Sequence, residues 1–299
     1  MTIIIKFSDN IEHKHDNFVE ILRLDNYNEI IYMNCSSNYI SRLPKLPNSL
    51  QQLECEYNRL SSLPDLPNSL TELWCHNNNL SNLPDLPNSL IFLYCGNNKI
   101  SNLPDLPNSL EELWCSYNSL SRLPNLPNLL INLYCWNNCL SSLPNLPNLL
   151  KYLSCSANNL SILPELPNSL IELNCADNNL FCLPELPNSL EKLWCGYNNL
   201  SSLPEIPNSL THMWCNNSSL SSLPKFPNSL YYFNYNTNPI YFYIEKYFEN
   251  DVEKYQKYQN NIIRIFANKI GNWYLDCKYN PKYLYCRKRL MKEYDELYN

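Results

Sequence analysis

From Ile31 to Leu230 the apolar positions recur at one fixed spacing. In the block Thr71–Leu90, TELWCHNNNLSNLPDLPNSL, they are Leu73, Cys75, Leu80, Leu83, Leu86 and Leu90. The same frame is spelled ten times in succession with a period of twenty residues, and a degenerate half-copy, YYFNYNTNPI, runs on to Ile240. Leu73 and Cys75 alternate with Glu72, Trp74 and His76, and a period of two predicts a short strand with one inward face. Asn78 ends that strand, and its carboxamide has donors and an acceptor for the turn and for the neighbouring repeat. Nine of the ten full repeats carry Asn there, and Ser218 is the exception. Leu80 and Leu83 are expected to point into the core. The return half, L83-P84-D85-L86-P87-N88-S89-L90, has two prolines three residues apart, which excludes a helix and predicts an extended, polyproline-like path. On that path Leu86 and Leu90 are expected inward, with Asp85 in solvent.

One such unit buries too little apolar surface to offset the ordering of its backbone, so the repeats must stack and share their core. The fold class expected is therefore a repeat solenoid in three parts. Residues 31–240 form the array, with 1–30 and 241–299 as N- and C-terminal caps. At about 4.8 Å per rung, eleven rungs make a parallel sheet roughly 50 Å long. In the N-terminal part IIIKF is strand-like and an apolar stretch runs from Phe18 to Leu24. The C-terminal part changes period. Val252, Tyr255, Ile262, Ile263, Phe266, Ile270 and Trp273 recur at helical spacing. Asn280-Pro281 reads as the start of a second helix carrying Leu290, Met291, Tyr294 and Leu297.

Composition sharpens this picture. Of 22 prolines, 20 belong to the repeated L-P-x-L-P, so they mark a turn rather than disorder. The net charge of −6 divides into −3 over residues 1–30, −6 over 31–240 and +3 over 241–299. An acidic array argues against nucleic-acid binding, which needs cations to release counterions. No apolar run reaches membrane-spanning length, and the N-terminus lacks a basic region and cleavage site of a signal peptide. A protein inside the cell is expected. Ten of the 14 cysteines stand at the fifth position of successive repeats, and no C-x-x-C pair occurs. That spacing puts one thiol on each rung, as a small buried hydrophobe rather than a metal or disulfide ligand. No cofactor is expected.

The segment L70-x-x-L73-x-C75-x-x-N78-x-L80 matches the leucine-rich-repeat pattern. With L-P-x-L-P-x-x-L it resembles the short, twenty-residue repeats of bacterial effectors. The fifth-position Cys, the Asn and Tyr bias and the tail NWYLDCKYNPKYLYCRKRL more closely resemble leucine-rich-repeat proteins of amoeba-infecting giant viruses, which are mimivirus-like. The resemblance implies a right-handed arc with a concave parallel β-sheet, an extended convex side and partner binding on the concave face. It implies a viral protein in the cytoplasm of an infected host cell. Some bacterial relatives add a ubiquitin-ligase domain with a catalytic C-x-D. Here Cys277-Lys278-Tyr279 and Cys286-Arg287-Lys288 lack that Asp.

The fourth position of each repeat faces outward and reads Asn34, Glu54, Trp74, Tyr94, Trp114, Tyr134, Ser154, Asn174, Trp194, Trp214 and Asn234. Phe92, Tyr152, Trp136 and His76 stand in neighbouring columns. An exposed aromatic stripe marks an interaction site, because Trp and Tyr combine apolar area with a polar handle and few rotors. The partner-binding candidates are Trp74, Tyr94, Trp114, Tyr134, Trp136, Trp194 and Trp214. Glu72, Glu112 and Glu172 flank them and favour a partner with Lys or Arg. Stacking that merely stiffens the sheet is the competing explanation. His76 and His212 lie seven rungs apart, roughly 30 Å along the sheet, and no nucleophile, base or phosphate-loop constellation accompanies them. The expected function is a non-enzymatic, monomeric scaffold for a host or viral protein or peptide. Self-assembly and a tail-borne cysteine activity are the alternatives.

Overall fold

The computed structural model describes residues 1–279. The chain divides into two units, Met1–Ile240 and Tyr241–Asn299. The first is a parallel-strand solenoid. Its strands are three residues long and recur every twenty: β3 (Tyr32–Asn34), β4 (Gln52–Glu54), β5 (Glu72–Trp74), and so on to β13 (Tyr232–Asn234). Equivalent residues pair in register, Leu53 with Leu73 and Leu73 with Leu93. The third and fifth positions of each repeat are buried, as the period of two requires.

At the N-terminal end β1 (Ile3–Lys6) buries Ile3 and Ile5 and runs antiparallel to β3. The edge strand β2 (Glu12–His15) pairs antiparallel with β1 and completes a sheet of 13 strands. Its sequence, Glu-His-Lys-His, is charged and suits an edge that must not recruit another strand. The expected apolar stretch becomes a short helix, α1 (Phe18–Leu22), capped by Asn17, whose side chain accepts from the Glu20 N–H.

Each strand ends in a turn whose seventh residue has a positive φ of 50–61°, from Ser37 to Thr237. None of these residues is Gly, so the left-handed conformation carries a cost that the turn's bonds must offset. The eighth residue supplies them. Asn158 donates to the carbonyls of Cys135, Cys155 and Ser156, all at 3.1 Å, and accepts from the Leu140 N–H at 2.9 Å. One carboxamide thus closes its own turn and joins it to the preceding rung. Asn38 has no preceding repeat, and it exchanges both bonds with the Thr2 backbone instead (2.8 and 2.7 Å). At Ser218 the hydroxyl is buried without a partner.

The return half contains neither helix nor strand, as its prolines dictate. One expectation needs correction. Leu86 is only half-buried, whereas Pro87 is buried. The return path closes with a bond from the Leu90 N–H to the Pro87 carbonyl (3.1 Å), and this turn swings Pro87 inward and leaves Leu86 at the boundary. A feature not expected from the sequence ties this side together. The nineteenth-position serines donate to the previous repeat, Ser89 to the carbonyls of Asn68 (2.8 Å) and Leu70 (2.6 Å).

The C-terminal part holds α2 (Pro239–Phe248) and α3 (Val252–Tyr279). Phe248 meets the rings of Tyr255 and Tyr258 at 5.5 and 5.3 Å, which joins the two helices. The helix expected from Val252 onward is α3. By contrast, α2 is rich in Tyr and Phe, which favour strands locally, so the sequence does not announce it. The helix expected after Asn280-Pro281, Cys286 and the side chain of Cys277 lie outside the described residues.

Asn158→Ala leaves an N–H and two buried carbonyls without their partner, and we expect it to lower stability by about 3 kcal/mol or more in urea unfolding. Ser218→Asn should act oppositely. It completes the ladder and is expected to raise the urea midpoint, by the equivalent of about 1–2 kcal/mol.

Candidate interaction surface

The same alternation that buries Leu and Cys turns the second, fourth and sixth positions outward. Trp74, Tyr94, Trp114 and Tyr134 occupy four consecutive rungs of the fourth column. Their ring centroids are 4.0, 5.5 and 4.2 Å apart in sequence along the stack. Trp194 and Trp214 form a second stack at 5.0 Å, extended by Tyr232 at 4.7 Å. The expected continuous stripe is therefore two blocks. Ser154 and Asn174 carry no ring, and a recess of about 170 Å3 opens between Tyr134 and Trp194, lined also by Tyr152 and Glu172. Nor is the column bare to water. Stacking leaves its rings half-buried, and Trp114, at 41 % exposure, is the most open of the fourth-column tryptophans. Trp136 stands outside both stacks and packs edge-on against Tyr117 at 4.3 Å.

Carboxylates hold the ring edges. Glu112 accepts from the Trp114 indole N–H at 3.2 Å and from the Tyr94 hydroxyl at 3.0 Å. Glu72 accepts from the Trp74 indole at 3.4 Å. Burial and the neighbouring Glu112 carboxylate push the Tyr94 hydroxyl well above the ordinary tyrosine range. The outward columns carry Glu54, Glu56, Glu72, Glu112 and Glu172 against a single cation, Lys192, which binds Glu172 at 2.7 Å. Near the N-terminal end Glu54 accepts from Tyr32 (3.1 Å), Gln52 (2.9 Å) and Asn34, and burial raises its carboxyl.

Sequence reasoning missed the seventh-position tyrosines. Tyr57, Tyr117 and Tyr197 are exposed beside the strand face. His212, weighed from the sequence only for catalysis, meets Tyr231 at 4.6 Å. Both were legible as variable positions within an otherwise fixed frame.

The thiol column is interior. Cys35 to Cys215 are buried, and desolvation is the leading cause that pushes their thiols up, to about 12 at Cys35, Cys95, Cys155 and Cys215. Neutral thiols in this setting are neither nucleophiles nor metal ligands. Among the described residues no group of three His, Cys, Asp or Glu could hold a metal ion. No described helix is long and apolar enough to cross a membrane. The carboxylates of the acidic fifteenth column, such as Asp85 and Glu165, are exposed on the return side, away from the rings.

Solved structures place this geometry. YopM from Yersinia enterocolitica WA-314 superposes with a TM-score of 0.71 at 40 % identity, covering 72 % of this chain and 48 % of that one. The fold is a leucine-rich-repeat solenoid. The functional domain of InlJ from Listeria monocytogenes, which includes a cysteine ladder, shares this leucine-rich-repeat fold with a TM-score of 0.57 at 24 % identity, over 72 % of this chain and 56 % of InlJ. The APL1 leucine-rich-repeat domain shares it with a TM-score of 0.60 at 21 % identity, over 73 % of this chain and 65 % of that domain. The chain spans about half the length of the YopM it matches. No family model and no curated protein matches the sequence.

The buried thiols make the leucine-rich-repeat core sensitive to alkali. Unfolded cysteines lose their protons near pH 8.5, while the folded column keeps them up to about 12 at Cys95 and Cys155. Above the unfolded value the folded state binds more protons, so stability falls as pH rises from about 9 towards 12. The slope is up to about 1.4 kcal/mol per pH unit for each buried thiol. Urea titrations at pH 7, 9 and 10 measure it, and an unchanged midpoint would contradict a buried column.

Proposed function

We propose that this chain is a non-enzymatic scaffold that holds a protein or peptide against its aromatic strand face, acting as a monomer. The observation that carries the reading is the pinning of half-exposed rings by carboxylates on an acidic face. Two rigid aromatic platforms, Trp74 to Tyr134 and Trp194 with Trp214, flank the recess at Ser154 and Asn174. Rings already fixed by stacking and by Glu72 and Glu112 lose little freedom on binding, which favours their use as anchors. The excess of carboxylates selects a partner that presents Lys or Arg, and cation–π contact with Trp adds to that preference. The face corresponds to the concave surface that leucine-rich-repeat arcs commonly offer. Residues 1–30 act as a cap that keeps the first rung from associating. We further propose a host or viral partner in the cytoplasm of an infected cell.

Affinity capture from such cells tests the proposal. We expect one dominant protein to co-purify with the native chain and to be lost from the double variant Trp114→Ala/Trp194→Ala. That variant gives up three ring contacts, each worth about 0.5–1.5 kcal/mol beyond its buried area, so it should melt lower than the native chain while keeping one cooperative transition. Loss of cooperative unfolding together with capture would assign the rings to the frame. A concentration-dependent oligomer abolished by the same substitutions would instead identify self-assembly.

A further inference from the structure

The return side departs from its own pattern in two neighbouring repeats. Eight of the ten full repeats carry Ser at the nineteenth position, but residues 129 and 149 are Leu. They are 47 % and 49 % exposed. Elsewhere the serine hydroxyl bonds to the preceding repeat, Ser109 to the Leu90 carbonyl and Ser169 to the Leu150 carbonyl, both at 2.6 Å. At Leu110 and Leu130 the corresponding carbonyl receives no hydroxyl. Each of these leucines therefore gives up an inter-repeat bond and puts apolar surface into water, two costs with no gain in the frame. Broken local rules of this kind point to function.

The same two repeats change a second column. The fifteenth position is exposed throughout; between Lys45 and Lys225 at its two ends it reads Asp65, Asp85 and Asp105 before these repeats and Glu165, Glu185 and Glu205 after them. Between those acidic runs stand Asn125 and Asn145, which are neutral. The charge is lost where the apolar surface is gained. Beyond Leu149 a depression of about 540 Å3 is walled by Glu165, Glu185, Pro184 and Pro187.

We propose that Leu129 and Leu149 form the centre of a docking surface on the return side for a protein segment with an apolar middle and Lys or Arg on both flanks. The leucines supply the desolvated centre. Asp105 on one side and Glu165 on the other, each one repeat away, supply the attraction that holds the partner's cations. A second copy of this chain does not fit the surface. A two-fold contact about the leucines would set one copy's Asp65–Asp105 run against the other's Glu165–Glu205 run, like charge on like. This surface is opposite the rings and independent of the partner proposed for the strand face.

The test uses the full chain and a labelled synthetic peptide with four central leucines and three lysines on each flank, followed by fluorescence anisotropy. We expect saturable binding that weakens as salt rises, and no binding of the same peptide with glutamate flanks. Leu129→Ser/Leu149→Ser should weaken binding at least tenfold. That variant restores the repeat's own serine bonds, so it should fold and melt above the native chain. Asp105→Asn/Glu165→Gln should weaken binding and flatten its salt dependence. Absence of peptide binding, or equal binding by the serine variant, overturns the proposal. So does sedimentation in which the native chain self-associates through these leucines and the serine variant is monomeric.

Discussion

Everything in the solenoid depends on the buried asparagine at the eighth position. A repeat of this length has a turn around one left-handed residue, a strand of three and a return path whose recurring backbone bond is a local one, such as that from the Leu90 N–H to the Pro87 carbonyl. None of these persists alone. The carboxamide bonds to both a rung and its predecessor, and at Asn58, Asn78, Asn158, Asn178 and Asn198 it does so from inside the protein, where water cannot compete. Asn178 spans Cys155 and Cys175 in this way, with both bonds near 3.1 Å. Because donors and acceptor are all used, no other side chain replaces it without leaving a buried group unpaired.

That constraint separates the positions that build the frame from those that are free to vary. Leu at the third position, Cys at the fifth and Asn at the eighth are repeated almost without change. Outward positions carry no such duty, and the chain uses them unevenly. The fourth column gathers its rings into two blocks with a polar gap. The return side keeps its serine bonds except at Leu129 and Leu149. In the fourth column the frame is indifferent to the choice, and on the return side it gives up bonds to make it, so both choices are available to binding.

The acidic balance acts on both surfaces. On the strand face the carboxylates serve two purposes at once, since Glu112 orients Trp114 and Tyr94 and still contributes its charge. On the return side the carboxylates stand alone in solvent and act only through their field. Under the proposed reading, partners of either surface are selected for positive charge.

Much of this was readable from the chain. Period, strand register, the inward thiols and the outward rings follow from spacing alone, because each repeat meets the same neighbours and a local pattern becomes a global one. The sequence also showed which residues share a column, so Trp74, Tyr94 and Trp114 could be placed together before any coordinates. Other features depend on distances that no spacing encodes. Ring stacking half-buried the tryptophans, and a recess opened where Ser154 and Asn174 interrupt the column. The return turn sent Pro87 inward in place of Leu86. The bonds from Ser89 to the previous repeat, the antiparallel addition of β1 to β3, and the helix over Pro239–Phe248 in spite of its strand-forming residues were settled by contacts between segments. Periodicity determines which way a side chain points; only the folded chain determines what it meets there.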